Sequence, residues 1–407
     1  MIIDIINECE KELEKSFKTV ENTALYNQEK VLNAFQNNRI ALRHFAPTSG
    51  YGYDDIGRDT LCDLFADVFH TEKAIVSPLI ANGTHALTLA LFGILRPNDT
   101  LLYISGTPYD TLENVIGGKD IGSLKDFGIS FSQTELKADG SFDKEAISKA
   151  IKEHNPKMIA IQRSRGYSWR NALTMSEFED IISFVKKIKP DVAIMVDNCY
   201  GEFVDIIEPS DVGADIVVGS LIKNPGGGLA PTGGYIAGKE KYVDLIAGRL
   251  TAPGIGMEVG SYLSTYQYFY QGLFLAPHVV SQAIKASLLF SSVFSKLGYK
   301  VLPAPNKIGS DIITSIEFNE ADELIKFCQA IQACSPIDSF VTPEPWDMPG
   351  YNHQVIMAAG TFVQGASIEM SADSPIKKPY IAYFQGSLTY EHAKLALKKC
   401  LELLGVN

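Results

Sequence analysis

The segment Ile216–Gly228 reads I-V-V-G-S-L-I-K-N-P-G-G-G, and the fold prediction for this chain starts from it. The β-branched residues 216–218 predict a buried strand, and Asn224-Pro225-Gly226 ends any regular element. Lys223 therefore lies where a strand gives way to a loop, which is where functional residues concentrate. Burial favours the neutral amine of a lysine, which a Schiff base with an aldehyde requires. A solvated lysine at the start of a surface loop is the alternative interpretation.

The composition is that of an ordinary folded protein. The 407 residues are 46% hydrophobic and 21% charged, enough for a large core and, by length, two domains. The formal net charge is −12 and no dense Lys/Arg block occurs, so neither nucleic acid nor an anionic membrane surface is an expected partner. The six cysteines are scattered without a CxxC pair, which favours a reducing compartment and predicts no metal site.

The amino-terminal residues and the hydropathy of the chain bear on its location. The sequence begins M-I-I-D-I-I-N-E-C-E, without the basic region or the long apolar core of a signal peptide. No segment of the sequence is expected to reach the apolar length of a membrane span. We therefore predict a cytoplasmic protein.

Repeated units of strand, loop and helix between about residues 72 and 250 predict an α/β domain with a mostly parallel sheet. In such a domain the functional loops gather at the carboxyl ends of the strands. We predict a helical arm and polar loop at 1–58, a large domain at 59–275, and a connecting helix with a smaller α/β domain at 276–407. The predicted strands are 74–76, 101–104, 157–161, 193–196, 216–218, 312–318, 355–358, 367–370 and 381–384. The predicted helices include 60–69, 86–95, 175–188, 279–297, 320–333 and 390–404.

Two loops of the predicted large domain carry groups suited to an anion and to a planar ring. Asn82-Gly83-Thr84-His85 precedes a helix, whose free N–H groups and positive dipole end predict a phosphate site. Asn82 or Thr84 could instead only cap the helix, and His85 is equally consistent with a packed ring. Tyr109 follows the next strand, where it could cover a planar ligand or only the edge of the core.

Asp197 ends the apolar run 193–196, so a buried strand carries one carboxylate to its end. A buried charge is costly without a partner. Here the partner is either the backbone N–H groups of the next turn or a protonated ring nitrogen of a cofactor. An anion site, an aromatic face, a carboxylate and a lysine together match the needs of pyridoxal phosphate. The glycine-rich segment 226–234 has neither P-loop nor GxGxxG spacing.

Two further segments carry arginines and aromatic residues. Residues 162–170 read Q-R-S-R-G-Y-S-W-R and include Arg163 and Arg165, which suggest anion contacts after a strand. A salt-bridged surface loop is the alternative. Residues 48–59 form a glycine-rich polar loop that could present Tyr53 and Arg58 to an anion, or could be a plain turn before a helix.

Several of these segments, in this order, resemble one known family. They are A-N-G-T-H-A-L, S-G-T-P-Y-D-T-L, Q-R-S-R-G-Y-S-W-R, V-D-N-C-Y-G-E-F, G-S-L-I-K-N-P-G-G-G, G-T-F-V-Q-G-A-S-I-E and P-Y-I-A-Y-F-Q-G. The chain is similar over nearly its whole length to the aluminium-resistance (YnbB-like) branch of the cystathionine β-lyase/methionine γ-lyase group. These are pyridoxal-phosphate (PLP) proteins of fold type I, the aspartate aminotransferase fold.

The resemblance implies a role for each candidate residue. Lys223 is expected to form the Schiff base with PLP and to act as general base, Asp197 to bind the pyridinium nitrogen, and Tyr109 to stack on the ring. The cofactor-binding set also includes Gly83, Thr84, His85 and Ser220, with Tyr53 and Arg58 supplied by the neighbouring subunit. Such a shared site implies a homo-oligomer, either a dimer of the catalytic unit or a tetramer.

The resemblance also implies carbon–sulfur bond cleavage in a sulfur-containing amino acid such as cystathionine or methionine, by β- or γ-elimination. Related lyases bind the substrate carboxylate with an arginine of the C-terminal domain, where this chain has Lys377 and Lys378. A lysine lacks the bidentate fork, so Arg163, Arg165 or Arg170 could take that role beside Lys377. Transamination or racemisation with the same cofactor, and a non-catalytic binding or stress-response protein, are the alternative functions.

Overall fold

The computed structural model describes residues 2–348 and 353–406, which form ten α-helices and two β-sheets. The helices are α1 (Ile2–Asn37), α2 (Ile56–Val68), α3 (Gly83–Ile94), α4 (Asp110–Gly117), α5 (Lys144–His154), α6 (Met175–Ile188), α7 (Glu240–Leu250), α8 (Gln267–Lys296), α9 (Ala321–Ala333) and α10 (Tyr390–Leu403). The strands are β1 (Lys73–Ser77), β2 (Thr100–Tyr103), β3 (Ser130–Gln133), β4 (Met158–Gln162), β5 (Ala193–Asp197), β6 (Ile216–Ser220), β7 (Gly234–Gly238), β8 (Lys300–Leu302), β9 (Ile313–Phe318), β10 (Val355–Ala358), β11 (Ser371–Pro375) and β12 (Tyr380–Gln385).

The larger sheet has the strand order β1-β7-β6-β5-β4-β2-β3. Every pairing in it is parallel except the two that β7 makes with β1 and β6. Strands β4, β5, β6 and β7 are buried at every position, as expected for strands covered by helices on both faces. The predicted mostly parallel sheet is confirmed, although β7, within a glycine-rich stretch, was not predicted.

The first helix, α1, packs along α8 and reaches the carboxyl-terminal helix. Glu21 pairs with Lys285, and Lys296 pairs with Glu8 and Glu12. Tyr390 of α10 donates a hydrogen bond to Glu10 of α1. The predicted amino-terminal arm is therefore one long helix that packs on its own chain.

Helix α8 is largely buried, and its apolar side chains belong to the main hydrophobic core. Phe290 of α8 stacks on Phe384 of β12 with ring centroids 3.8 Å apart. By length and composition α8 could cross a membrane, so the expectation that no segment reaches this length is wrong. Most of its apolar window is buried inside the molecule, as is typical of a core helix. The predicted boundary between residues 275 and 276 falls inside this helix, and the division into domains stays a prediction.

The smaller sheet is antiparallel throughout and has the strand order β10-β11-β12-β9-β8. The predicted strand at 367–370 is wrong, because the strand starts at Ser371. Glu369 accepts hydrogen bonds from the N–H groups of Phe362 and Val363, so this apolar run forms a buried turn. Tyr383 of β12 donates a hydrogen bond to the carbonyl of Tyr167 at 2.7 Å, which joins the small sheet to a loop of the large one.

Candidate active site

A cavity of about 540 Å³ lies between the two sheets, at the carboxyl ends of the parallel strands. Loops that follow four different strands of the large sheet bring predicted site residues to it. The large-sheet wall, as we call it, consists of Gly83, Thr84, Tyr109, Asp197, Ser220 and Lys223. Arg165 and Lys377 also line the cavity, so the structure brings together eight of the residues that were singled out from separate segments of the sequence.

Lys223 lies between the end of β6 and a short 3₁₀ turn at Asn224–Gly226. Its Nζ is 4.1 Å from the centroid of the Tyr200 ring. A Cβ at Gly226 would lie 1.8 Å from the carbonyl oxygen of Leu221, so only glycine allows the chain to turn back this tightly. The strand and this turn together hold the lysine at the cavity.

The surroundings of Lys223 affect its pKa in two opposing ways. Burial opposes the charged form, but the surrounding acidic groups of Cys199, Tyr200, Asp197 and Tyr109 raise the pKa of Lys223 well above its usual value. Burial and these charges therefore act in opposite directions on the Lys223 amine, because the lysine faces a cavity that contains a carboxylate and its surroundings are not uniformly apolar.

Asp197 lies at the end of β5 and is almost fully buried. Its Oδ1 accepts a hydrogen bond from the backbone N–H of Cys199 at 3.1 Å, which is the partner foreseen for a purely structural carboxylate. Burial raises the pKa of Asp197, and the positive charge of Lys223 partly offsets this effect. None of the ion pairs within residues 2–348 and 353–406 involves Asp197. The carboxylate therefore faces the cavity without a salt-bridge partner.

The start of α3, where the sequence predicts an anion site, lies at the cavity beside Ser220 of β6. Asn82 caps the helix by accepting the His85 N–H at 2.8 Å, so the N–H groups of Gly83 and Thr84 are in the unpaired first turn. The buried Oγ of Ser220 has no hydrogen-bond partner in the described part of the chain. A Cβ at Gly83 would lie 3.4 Å from the Ser220 Cβ, so the helix start and the serine are in contact distance. Oxygen atoms of an anion would satisfy these donors.

Tyr109 precedes α4 and is fixed by the first turn of α3. Its hydroxyl lies 2.8 Å from Oγ1 of Thr84. Burial, followed by the charge of Asp197, raises the pKa of Tyr109, so its phenol stays protonated near neutral pH. The Tyr109 ring is therefore uncharged and held in a fixed position at the cavity.

Three candidates of the predicted cofactor site lie outside the cavity lining. The ring of His85 accepts the Ala81 N–H at 3.1 Å, so it closes the loop before α3. Tyr53 is 65% exposed and stacks on Tyr51. The buried guanidinium of Arg58 donates hydrogen bonds to the Gly52 carbonyl at 3.0 Å and to Asp59 at 2.8 Å. Nδ1 of His85 and the guanidinium of Arg58 thus bind groups of their own loops, and the cofactor contacts of His85, Tyr53 and Arg58 stay predictions.

The side chains of Arg163 and Arg165, which follow β4, are fully buried and paired within the chain. Arg163 forms ion pairs with Asp205 at 2.8 Å and with Glu208 at 3.4 Å, and it does not line the cavity. The guanidinium of Arg165 binds both oxygens of Asp311, at 3.0 and 3.2 Å. Arg165 also lines the cavity and stays a predicted substrate contact.

Two cations remain to be placed. Arg170 donates to the Ser164 carbonyl at 2.6 Å, so it too is held within its own loop. Lys377 lines the cavity, is exposed, and stays a predicted substrate contact.

The model of the methionine gamma-lyase family matches residues 2–404. The chain belongs to this family. The protein YnbB of Bacillus subtilis (strain 168), itself uncharacterized, is 50% identical over 402 residues, which cover 98% of this chain and 95% of YnbB.

Solved structures agree with the family assignment. A carbon–sulfur lyase involved in aluminium resistance from Clostridium novyi NT superposes with a TM-score of 0.95 at 50% identity, covering 98% of this chain and 95% of that one. The pyridoxal-5'-phosphate-dependent protein YhfS of Escherichia coli, 15% identical, superposes with a TM-score of 0.64 over 94% of this chain and 97% of YhfS. This second likeness is one of fold, and the fold is that of PLP-dependent enzymes of fold type I.

Apart from Lys377, sequence reasoning missed the residues that the small sheet supplies to this family member's cavity. Strands β11 and β12 contribute Ser371, Asp373, Tyr383 and Gln385, and the loop after β4 contributes Tyr167. The alternation in S-A-D-S-P places Ser371 and Asp373 on one face, and this signal was available in the sequence. Which face meets the cavity depends on the pairing of the strands and could not be read locally.

Proposed function

We propose that this protein is a PLP-dependent carbon–sulfur lyase that acts on a sulfur-containing amino acid, by β- or γ-elimination, through Lys223. The observation that carries the proposal is that Lys223, the salt-bridge-free Asp197 and the unpartnered Ser220 hydroxyl line one cavity at the strand ends. Membership of the methionine gamma-lyase family supports the same chemistry.

The residues of the large-sheet wall fit PLP as a set. The first turn of α3, with Gly83 and Thr84, and the hydroxyl of Ser220 would bind the phosphate. Asp197 would pair with the protonated ring nitrogen, and the Tyr109 ring would cover one face. When bound, PLP supplies an aldehyde that condenses with amines and a ring that withdraws electrons from the α-carbon of the substrate.

Lys223 has two tasks in this proposal. Its amine would hold the cofactor, and as a free amine Nζ would accept the proton from the α-carbon of the substrate. That second task requires the neutral amine, whereas the field of Asp197 and its neighbours favours the ammonium. A cation paired with Asp197 would cancel part of this field and lower the pKa of Lys223 towards the range of a working base.

A second subunit would complete the site. Tyr53 is exposed on the same chain as the cavity yet does not line it, so we propose that it contacts the cofactor of a neighbouring subunit in a dimer or tetramer. Arg58 supports the loop that presents this tyrosine, through its bond to Gly52. All six cysteines are free thiols, which is compatible with the proposed cytoplasmic location.

Transamination, racemisation and a non-catalytic role would use the same large-sheet wall, so the products must decide between them. Release of a thiol and a keto acid from cystathionine or methionine supports the lyase. Conversion of an amino acid to its keto acid without thiol release would indicate transamination, and loss of optical activity alone would indicate racemisation. Binding of amino acids without turnover would indicate a non-catalytic protein.

The test of the proposed cofactor chemistry compares wild type with Lys223→Ala after addition of PLP and then borohydride. We expect a yellow wild type in which borohydride fixes one pyridoxyl group on the peptide that contains Lys223, as read by mass spectrometry. Lys223→Ala should retain no covalent pyridoxyl group, and its activity should fall by at least about 10³-fold.

The matched control for this test is Lys187→Ala, which removes an exposed lysine of α6. It should behave as wild type in colour, labelling and activity. A colourless wild type that remains free of PLP, or a label on a lysine other than Lys223, contradicts the proposal.

A further inference from the structure

The small sheet presents a polar stripe to the cavity, formed by Ser371 and Asp373 of β11 and Gln385 of β12. Ser371 pairs in register with Gln385, and Asp373 pairs with Tyr383, so these side chains lie on one face of the sheet. All four line the cavity, whereas the intervening Ala372 belongs to the hydrophobic core on the other face. The polar stripe is therefore a feature of the cavity wall.

Asp373 brings a carboxyl group to this wall without a salt-bridge partner in the described part of the chain. None of the ion pairs of the described residues involves Asp373, and its neighbours are the Gln385 amide at 3.5 Å and the Tyr167 side chain. Burial raises the pKa of Asp373 to about 7, although Tyr167, Lys223 and Gln385 lower it in part. A carboxylate in such a place is costly without a positive partner, and a cationic group of a ligand would supply one.

The hydroxyl of Ser371 is a second, independent indication of a ligand at the same wall. Its Oγ is buried and has no hydrogen-bond partner in residues 2–348 and 353–406. It lies two positions from Asp373 on the same face of β11. An ammonium group has three donors and no acceptor, so a carboxylate and a hydroxyl side by side match it.

We propose that Ser371, Asp373 and Gln385 form the recognition site for an ammonium group on the side chain of the substrate, with Asp373 as the residue that determines specificity. The proposal rests on the proposed function only in placing an amino acid in this cavity. The preferred substrates are then thioether amino acids with a distal ammonium group, such as S-(2-aminoethyl)-L-cysteine. A purely apolar side chain, or one with a distal carboxylate alone, is disfavoured.

Binding of amino acids that lack sulfur separates this proposal from the proposed lyase activity. L-Lysine, L-2-aminoheptanoate and L-2-aminopimelate have side chains of matched length with an ammonium, a methyl and a carboxylate group at the end, and none has a thiol leaving group. Calorimetric titration of the PLP-loaded protein should show lysine bound about 10- to 100-fold more tightly than aminoheptanoate, the range for a charged hydrogen-bonded group. Aminopimelate should bind most weakly.

Asp373→Asn should reduce the lysine preference to less than about threefold while leaving aminoheptanoate binding unchanged. Ser371→Ala, which changes less of the wall, should reduce it severalfold, and this variant serves if Asp373→Asn does not fold. Asp322→Asn, an exposed site on α9, is the control and should keep the wild-type preference.

An unchanged lysine preference in folded Asp373→Asn, or tighter binding of aminopimelate in wild type, overturns the assignment. Failure of the protein to release thiol from any thioether would instead contradict only the lyase proposal.

Discussion

The two walls of the cavity differ in how the chain builds them. The large-sheet wall is made of loops that follow parallel strands, so groups such as Asp197 and Lys223 converge because strand ends converge. The polar stripe is made of side chains within antiparallel strands, and their direction depends on register. Loops at converging strand ends suit a fixed cofactor site. Side chains on one face of a sheet suit a wall whose polar groups select among substrates.

The segment 163–170 connects these two walls. Arg165 leaves the large sheet and binds Asp311, and its Nη1 also donates to the Leu302 carbonyl at 2.7 Å. Tyr167 receives the hydroxyl bond from Tyr383. The arginine-rich loop therefore connects the two walls through Arg165 and Tyr167, and Asp311 balances the charge of Arg165.

The largest expected effect distinguishes the two walls by their carboxylates. Asp197→Asn should lower kcat by about 10²–10³-fold for every substrate, because a fixed charge next to the proposed cofactor ring is lost. Asp373→Asn should change kcat/KM only for substrates with a distal ammonium group. Steady-state kinetics with S-(2-aminoethyl)-L-cysteine and S-propyl-L-cysteine measure both, and equal losses with the two substrates in both variants would remove the distinction.

The next effect concerns the connection between the walls. Arg165→Met should lower the free energy of unfolding by about 3–5 kcal/mol, because it leaves the fully buried Asp311 carboxylate unpaired. Arg165→Met with Asp311→Leu should recover most of this loss, since the buried charge is then gone as well. Urea unfolding at pH 7 measures both variants. A single variant as stable as wild type would show that the pair does not hold the walls together.

The smallest effect concerns a buried acid behind the large-sheet wall. Burial raises the pKa of Glu202 to about 8, and its Oε1 accepts the Tyr235 hydroxyl at 2.8 Å. The pKa of Glu202 is higher in the folded protein than in the unfolded protein, so its protonation favours folding at low pH. This contribution to the free energy of unfolding is lost as pH rises from about 4.5 towards 8. The slope is about 1.4 kcal/mol per pH unit.

Glu202→Gln keeps a neutral partner for Tyr235 and should not show this slope. Urea unfolding at pH 5.5, 6.5 and 7.5 should therefore show the variant gaining on wild type as pH rises, with no further gain above about pH 8. Asp373 titrates in the same range in both proteins, so its contribution cancels in the comparison. Parallel curves for the two proteins would mean that Glu202 is already ionised below neutrality.

Local sequence signals predicted many elements accurately. Helix α6 was predicted with its observed bounds, and its capping box of Thr174 and Glu177 shows why the signal is so strong. The buried strands β5 and β6 were recognised from continuous apolar runs. The strand predicted at 367–370 was wrong because burial alone does not distinguish a strand from a buried turn held by Glu369.

The residue types alone did not reveal the roles of the arginines or of His85. A basic loop has the same composition whether it binds a ligand or pairs internally, and the partners of Arg163 and Arg165 lie 42 and 146 positions away in the sequence. His85 is likewise bound to the loop before its own helix. Roles of this kind depend on which groups the fold places next to the side chain.

The sequence by itself determined the α/β fold, the family, and the loops that carry Lys223, Asp197 and the start of α3. It could do so because helices, buried strands and their terminating turns are encoded within short segments. Only the tertiary structure decided that Lys223 faces a carboxylate, that Arg165 joins the two sheets, and that Asp373 faces the cavity. Each of these depends on burial and on charges brought together from distant parts of the chain, and their energies exist only once the sheets have packed.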